Sequence, residues 1–141
     1  MDAAAGSRQV VAGVDGTPNS VAALHRAVTE ARRRGTSLDV VLVIPGEPNP
    51  EAYAAGLEML TGLLIHEFPR GLGVPVQRVV EHGDPARILV QLSRGAGVLV
   101  LGAPSAAAAG HPLSGEVVLG CLDGADCPVI VCANHGLTAG V

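Results

Sequence analysis

Several side chains that could take part in chemistry lie directly after apolar segments of the chain. Asp15 follows the segment Val10–Val14, where a carboxylate can accept hydrogen bonds from a base or a ribose, or instead form the turn before a helix. His82 follows a later apolar segment and is a candidate general base or metal ligand, although no second ligand is spaced with it. His111 lies in a long loop of small residues, where solvent exposure is the alternative to facing a ligand.

The possible nucleophiles do not form a catalytic set. Ser114-Gly115 lacks the Gly-x-Ser-x-Gly frame that presents a serine at a nucleophile elbow. Cys121, Cys127 and Cys132 are spaced unlike usual zinc ligands, so we predict small buried side chains rather than a metal site. All nine basic residues are Arg, which excludes Schiff-base and Walker-lysine chemistry. The sequence therefore favours a binding function over catalysis, with no cofactor required.

The composition excludes several classes of partner. Apolar residues make up 48% of the 141 positions and charged residues 16%, which is typical of a globular protein. The net charge of −4 argues against duplex DNA and anionic membranes as partners, and the presence of only one Tyr and one Phe argues against stacking of single-stranded nucleic acid. No apolar run is long enough to span a membrane and no signal peptide is visible, so we expect a cytoplasmic protein.

The polar residues named above lie in turns between predicted strands and helices, which alternate along the chain. Short apolar, β-branched segments predict five strands, at Val10–Val14, Leu38–Ile44, Val76–Glu81, Val98–Leu101 and Pro128–Cys132. A polar residue followed by proline predicts the starts of three helices, at Thr17-Pro18, Asn49-Pro50 and Asp84-Pro85, the last helix ending near Gly95. A short fourth helix is predicted near Glu116–Leu122.

Two helices carry patterns that bear on function. The first ends at Arg32–Arg34 and Gly35, and three arginines at a helix C-terminus favour a solvated, dipole-stabilised end over a nucleic-acid patch. The second helix is predicted to present one apolar stripe, formed by Tyr53, Leu57, Leu60, Leu64 and Phe68.

Strands that are apolar on both faces and alternate with helices predict an α/β fold, an open parallel sheet with helices on both faces. We predict a single domain over residues 1–141, with 1–8 and 134–141 as frayed tails. Ligands of such sheets bind beyond the carboxyl ends of the strands, where the winding direction reverses. The candidate site therefore combines Asp15–Thr17, after the first strand, with Gly102 and the residues that follow it.

Five stretches of the sequence together resemble the universal stress protein family. They are Val10–Thr17, Ser20–Leu24, Val80–Ala86, Val98–Gly102 and Asp126–Val131, which occur in the family's order over nearly the whole chain. The resemblance implies a Rossmann-like nucleotide-binding fold with a five-stranded sheet of order 3-2-1-4-5. It also implies a homodimer formed through the last strand, Pro128–Cys132.

The resemblance also implies an ATP phosphate loop of the form G-x2-G-x9-G-[ST]. Gly102 and Gly115 match its first and third glycines, whereas Ser105 replaces the second glycine and Glu116 replaces the Ser or Thr. The other nucleotide-binding residues that it implies are Asp15, Gly16, Thr17, Val43, Val117 and Val118.

The two replacements lead to alternative expectations for function. A carboxylate at Glu116 repels phosphate, and Ser105 hinders close backbone approach, which favours a non-enzymatic regulatory module with weak or no ATP binding. The alternative is a functional ATP- or AMP-binding stress protein with slow or no hydrolysis, in which Mg²⁺ bridges Glu116 and the phosphates. The Glu116 side chain itself either occupies the anion site or points to solvent.

Overall fold

The computed structural model describes residues 8–104 and 115–133. Its strands are β1 (Val10–Gly13), β2 (Leu38–Ile44), β3 (Val76–His82), β4 (Val98–Gly102) and β5 (Val129–Cys132). Its helices are α1 (Pro18–Arg34), α2 (Pro50–Glu67), α3 (Pro85–Leu92) and α4 (Gly115–Gly124). The predicted tails, apart from residue 8, lie outside the described residues, as do Ser105, His111 and Ser114.

The strands form one parallel sheet of order β3-β2-β1-β4-β5, which confirms the predicted fold. The central strand β1 pairs with β2 on one side and with β4 on the other, so that Val10 lies opposite both Leu38 and Val98. The direction of winding reverses between β1 and β4. Their carboxyl ends therefore define the position at which a parallel α/β sheet binds its ligand.

Two hydrophobic cores cover the two faces of the sheet. Alternate residues of each strand point to opposite faces, so Val10 and Val11 are both fully buried but belong to different cores. The first core is covered by α1 and α2, through residues such as Leu24 and Leu60. The second is covered by α3 and α4, with Leu89 and Cys121 at its centre. Burial on both faces explains the continuous apolar strands.

The helix starts follow the predicted caps, with one exception. Thr17 caps α1 and Asn49 caps α2 through side-chain oxygens that accept backbone N–H groups, and proline occupies the next position. Asp84 precedes α3 in the same way but makes no capping hydrogen bond through its side chain. Gly35 ends α1 in the left-handed conformation, at φ 65°.

Several predicted boundaries were wrong by one to three residues. The strand β1 ends at Gly13 rather than Val14, although the Val14 N–H still donates to β2. The strand β5 begins after Pro128, which lacks an N–H and contributes only a carbonyl to the ladder. The strands β3 and β4 each extend one residue further than predicted, α3 ends at Leu92, and α4 covers Gly115–Gly124.

The predicted stripe on α2 is only partly buried. Leu60 is fully buried, whereas Tyr53 is 44% exposed, so the stripe does not lie against the core along its whole length. The helix packs on β2 and β3, at one edge of the sheet, and most of its other leucines pack against the first core. Tyr53 and Ile65 are therefore the part of its apolar surface that is left exposed in the described structure.

Gly102, at the end of β4, allows a close approach of two backbones. A Cβ at this position would lie 2.6 Å from the carbonyl carbon of Asn19 and 2.6 Å from the nitrogen of Ser20, both in the first turn of α1. Such distances do not occur for real Cβ atoms. Glycine at this position is therefore required by packing, independently of any ligand.

Replacing Gly102 tests this contact. We expect Gly102→Ala to reduce the free energy of unfolding by about 1–3 kcal/mol, because backbone rather than a flexible side chain must move. Gly62→Ala in α2 is the matched control, since nothing lies within 4 Å of its Cβ position. The control should be stabilising by about 0.5–1 kcal/mol. Urea unfolding of both variants measures the difference, and equal effects would contradict the packing argument.

The C-terminal end of α1 is organised around one buried carboxylate. The Glu30 side chain is 3% exposed and accepts hydrogen bonds from Arg26 at 3.0 Å, Arg33 at 2.8 Å and Arg34 at 3.2 Å. Arg32, in the same basic run, donates instead to a carbonyl of the loop before β3, at 2.5 Å. The arginine run is therefore tied into the fold as an ion-pair network.

The pKa of Glu30 makes this network sensitive to pH. The arginines, chiefly Arg33, lower the pKa of the Glu30 carboxyl from 4.5 to about 2, against the opposing effect of burial. A carboxyl with a lowered pKa stabilises the folded chain above its unfolded pKa, and this contribution disappears as the pH falls from about 5 to 2.

We therefore expect Glu30→Gln to lower the free energy of unfolding by about 2 kcal/mol near pH 7 and by much less near pH 2. Glu58→Gln, at an exposed position of α2, is the control and should change stability by less than about 0.5 kcal/mol. Denaturant unfolding at several pH values measures both. A Glu30→Gln effect that does not depend on pH would rule out the ion-pair explanation.

Candidate functional site

The switch point between β1 and β4 brings three segments to one edge of the sheet. They are the β1–α1 turn at residues 14–17, the exit of β4 at Gly102–Pro104, and the start of α4 at Gly115. Helices that follow parallel strands begin at this edge, so the N-termini of α1 and α4 direct backbone N–H groups toward it. The described site is therefore built mainly from backbone groups.

Asp15 is a turn residue of the β1–α1 connection. Its Oδ1 accepts hydrogen bonds from the backbone N–H of Thr17 at 3.0 Å and from the Thr17 hydroxyl at 2.7 Å. Gly16, between them, is exposed and has φ +87°, a conformation that favours glycine. Asp15 was expected either to contact a base or ribose or to form the turn before a helix, and the described geometry shows the role in the turn. The carboxylate is thereby fixed at the carboxyl edge of the sheet.

Ser20 completes the turn and had not been predicted as a site residue. Its hydroxyl accepts the N–H of Asp15 at 3.2 Å and donates to the carbonyl of Thr17 at 3.0 Å, and the residue is fully buried. A serine three residues after a helix cap is a local signal for such a turn. The β1–α1 connection is consequently held rigid by its own side chains.

The exit of β4 is attached to elements on both sides. The Asn19 side-chain amide donates to the carbonyl of Ala103 at 2.7 Å, and the Ala103 N–H donates to the carbonyl of Cys132 at 2.6 Å. Sequence reasoning missed Asn19, because its partner lies 84 positions away and no local pattern joins them. The signal that could have found it is Gly102, whose close contact with α1 places the two segments side by side.

The start of α4 lies against the exit of β4. A Cβ on Gly115 would lie 3.9 Å from the side chain of Pro104, so the two ends that flank the predicted phosphate loop meet. Glu116, in the first turn of α4, is exposed, whereas Val117 and Val118 are buried. Ser105 lies outside the described residues. The structure thus brings Gly115 beside Pro104, two residues after Gly102, and leaves the Glu116 side chain accessible.

The remaining predicted site residue, Val43, is 3% exposed and packs in the second core together with Val117. A ligand at this edge can therefore meet their backbone groups more readily than their side chains. His82 is the last residue of β3, and its Nε2 accepts the backbone N–H of Asn49 at 3.3 Å, which makes it a partner of the α2 cap.

A cavity of about 570 Å³ borders the β1–α1 turn. It is lined by Gly16, by Pro18, Val21, Ala22 and His25 of α1, and by Glu67 of α2. His25 Nε2 lies 2.6 Å from Glu67 Oε1, and the imidazole ring packs 4.5 Å from the ring of Phe68. Of the predicted nucleotide residues that the structure describes, Gly16 alone lines this cavity. It is therefore separate from the meeting point of β4 and α4.

The cysteines do not supply a nucleophile to this edge. Cys121 is fully buried, and burial, with a smaller contribution from Asp84, raises the pKa of its thiol to about 11. Burial also raises the thiol pKa of Cys127 and Cys132, and all three cysteines are free. Thiols with raised pKa values stay protonated and unreactive at neutral pH.

Within residues 8–104 and 115–133, no group of three or more His, Cys, Asp or Glu is arranged to hold a metal ion. In the same residues, no helix is both long and apolar enough to cross a membrane. At the start of α1, Pro18 has no N–H, and the N–H groups of Thr17 and Ser20 donate to the side chains of Asp15 and Thr17. The helix start at this edge that is suited to binding an anion is therefore that of α4.

Comparison with known proteins agrees with the fold and with the sequence resemblance. The model of the universal stress protein family matches residues 6–133 of the chain. A universal stress protein of Mycobacterium tuberculosis is 37% identical over 134 residues, which cover 86% of this chain and 44% of the relative. The chain therefore spans less than half of the length of this curated relative.

Solved structures share the same architecture. A universal stress protein from Archaeoglobus fulgidus, solved in complex with dAMP, superposes with a TM-score of 0.69 at 24% identity and covers 89% of this chain and 97% of that chain. A universal stress protein family protein from Arabidopsis thaliana, solved with AMP bound, has a TM-score of 0.60 at 21% identity, with 92% and 93% covered. At these identities the structures establish the fold, and the family match extends over nearly the whole chain. The chain belongs to the universal stress protein family.

Proposed function

We propose that the chain is a non-enzymatic, cytoplasmic binding module that works as a homodimer and has a weakened adenine-nucleotide site. The observation that carries this proposal is the exposed Glu116 in the first turn of α4, beside Gly115. The proposed nucleotide contacts are Asp15, Gly16, Thr17 and Val43 for adenosine, and Gly102, Ser105, Gly115, Glu116, Val117 and Val118 around the phosphates.

Charge at the start of α4 supports weak binding of a triphosphate. The backbone N–H groups of a helix start attract phosphate, but the Glu116 carboxylate adds a negative charge at the same position. Two like charges about 5 Å apart at an effective dielectric constant of about 20 repel by roughly 3 kcal/mol. No arginine follows Arg94 in the sequence to offset this charge locally.

The repulsion grows with the number of phosphates, so it weakens ATP binding more than AMP binding. Relatives of this fold have been solved with dAMP and with AMP, each of which carries one phosphate. We therefore propose that any nucleotide bound here is a monophosphate in preference to a triphosphate.

The second candidate function is that of an ordinary ATP-binding stress protein that hydrolyses ATP slowly or not at all. In this case Mg²⁺ lies between Glu116 and the phosphates, because hard oxygen ligands suit this cation. The exposure of the Glu116 side chain is the observation that favours this candidate, since an accessible carboxylate can join the coordination shell of a metal–nucleotide complex. The two candidates differ in their response to Mg²⁺.

Nucleotide affinity distinguishes these candidates. We expect the wild-type chain to bind ATP poorly and AMP better. The double variant Ser105→Gly/Glu116→Ser should gain tenfold or more in ATP affinity, ~1.4 kcal/mol. Adenosine has no phosphate, so its affinity should change far less. Calorimetric titration of the three ligands, with and without Mg²⁺, measures these differences.

The matched control is Glu51→Ser, which removes a glutamate from the first turn of α2 and leaves α4 unchanged. It should alter ATP affinity less than twofold. Tight binding of Mg-ATP by the wild-type chain would contradict the weakened site and favour the second candidate. No gain in the double variant would contradict the proposed role of Ser105 and Glu116.

The proposed dimer rests on the contrast between the two edges of the sheet. The edge strand β3 carries Gln77, Arg78 and Glu81 at exposed positions, and charges of this kind prevent association of strands. The other edge strand, β5, has no charged residue, and Val131 is 38% exposed. The adjacent helix α4 exposes Leu119 and Leu122 at 68% and 51%. We propose that a second copy of the chain covers this edge.

Val131 is the best position at which to test the dimer, because Ile130 packs against the first core. We expect Val131→Lys to convert a homodimer into a monomer, because it places a charge on the uncovered edge. Ile65→Lys, at a 65% exposed position of α2 near the opposite edge, is the control and should remain dimeric. Size-exclusion chromatography with light scattering measures the mass. A wild-type chain that is monomeric at micromolar concentration would exclude the proposed interface.

A further inference from the structure

A single residue, Ala103, joins three parts of the carboxyl edge through its two backbone polar groups. Its carbonyl accepts the Asn19 amide of α1 at 2.7 Å, and its N–H donates to Cys132 at the end of β5, at 2.6 Å. We propose that Asn19 is a positioning residue, which holds the exit of β4 against the β1–α1 turn and thereby sets the geometry of the nucleotide site. The nucleotide part of this inference rests on the proposed function.

The contact at Gly102 restricts what the chain can do after β4. The backbone of Gly102 lies so close to Asn19 and Ser20 that a single Cβ does not fit between them. The next residue, Ala103, therefore passes directly over the first turn of α1. Its carbonyl needs a donor there, because a half-buried carbonyl without a partner costs about 1–3 kcal/mol.

Asn19 supplies this donor from a position that is itself rigid. It is the second residue of α1, between the Thr17 cap and the fully buried Ser20, whose hydroxyl bonds to both ends of the turn. A shift of the Asp15–Thr17 turn therefore also shifts the Asn19 amide. The Asn19–Ala103 hydrogen bond therefore fixes the position of the exit of β4 relative to the exit of β1, at the switch point.

The Asn19–Ala103 hydrogen bond also has consequences for nucleotide binding. The ladder between β1 and β4 has its last paired residues at Ala12 and Val100, before Gly102 and the segment that carries Asp15. Beyond these residues the Asn19 bond is a side-chain link between the two exits. Because the Ala103 carbonyl is turned toward Asn19, its negative end is directed toward α1.

Ala103 also connects the proposed nucleotide site to β5, the proposed dimer strand. The Ala103 N–H extends the β4–β5 ladder, whose last pair is Gly102 with Cys132. The carbonyl and the N–H of Ala103, which belong to two successive peptide groups, therefore bind α1 and β5 respectively.

Two variants of Asn19 test the role of its amide, with hydrogen exchange as a readout that does not depend on a ligand. Asn19→Leu removes the donor without adding charge, and Asn19→Asp replaces the donor with an acceptor. We expect amide exchange at Ala103, measured by NMR, to become about tenfold faster in both variants relative to exchange at Ala12 in β1. Ala12 is fully buried at the centre of the sheet and serves as the internal reference.

Asn49→Asp is the matched control, because it makes the same chemical change at the start of α2, where the asparagine oxygen acts only as an acceptor. It should leave the exchange ratio of Ala103 to Ala12 unchanged. An aspartate in the first turn of α1 is favoured by the helix dipole, so a purely local role of Asn19 predicts no loss in Asn19→Asp. An unchanged ratio in both Asn19 variants would overturn the proposal.

Nucleotide titration separates the failure of this inference from the failure of the proposed function. If the wild-type chain binds AMP, Asn19→Leu should bind it about three- to tenfold more weakly, which corresponds to the loss of one hydrogen bond. Equal AMP affinity in the two chains would overturn the positioning role. A different result is that neither chain binds AMP, ATP or adenosine, while amide exchange at Ala103 is faster in Asn19→Leu than in the wild-type chain. In that case the proposed function is wrong, and the role of Asn19 in holding the two strand exits together is supported.

Discussion

A backbone-to-backbone contact at Gly102 sets the distance between β4 and the first turn of α1, and the arrangement of the carboxyl edge follows from that distance. With β4 so close, the Asn19 amide reaches the Ala103 carbonyl, and Pro104 is brought beside the start of α4. A glycine at the end of this strand is usually interpreted through the ligand that its backbone approaches. In this chain, packing alone requires it, so Gly102 by itself is weak evidence for nucleotide binding.

The sequence predicted the fold well because the signals for it are local. Thr17-Pro18 and Asn49-Pro50 fix two helix starts, and the apolar run Leu38–Ile44 was predicted with the observed bounds. The exposure of Tyr53 could not be predicted, because periodicity shows which residues share a face and does not show whether another element covers that face.

The candidate site was predicted less completely than the fold. Motif spacing selected Gly102 and Gly115, which the structure brings to one edge, together with Asp15 in the adjacent turn. The Asn19 bond escaped prediction because it joins residues that are distant in sequence. Residues that act through tertiary contacts leave no pattern along the chain.

Two helix ends in this chain carry charges that suit the helix dipole. The arginines around Glu30 lie at the C-terminus of α1, where positive charge is favourable. Glu116 lies at the N-terminus of α4, where negative charge is favourable for the same reason. A helix N-terminus that already holds a carboxylate has less to gain from a phosphate. Under the proposed function, Glu at this position lowers the affinity for phosphate while it stabilises a short helix.

The central position of β1 has a consequence for how the chain folds as it is synthesised. Its neighbour β2 leaves the ribosome soon after it, but its other neighbour, β4, emerges only after two further helices and a third strand. Until then the apolar segment Val10–Gly13 has one unpaired edge, and exposed edges of this kind recruit other chains. Pairing across such sequence separations is slow. Nascent chains interrupted before Val98 should accordingly be the aggregation-prone species, and chaperones should engage them at that stage.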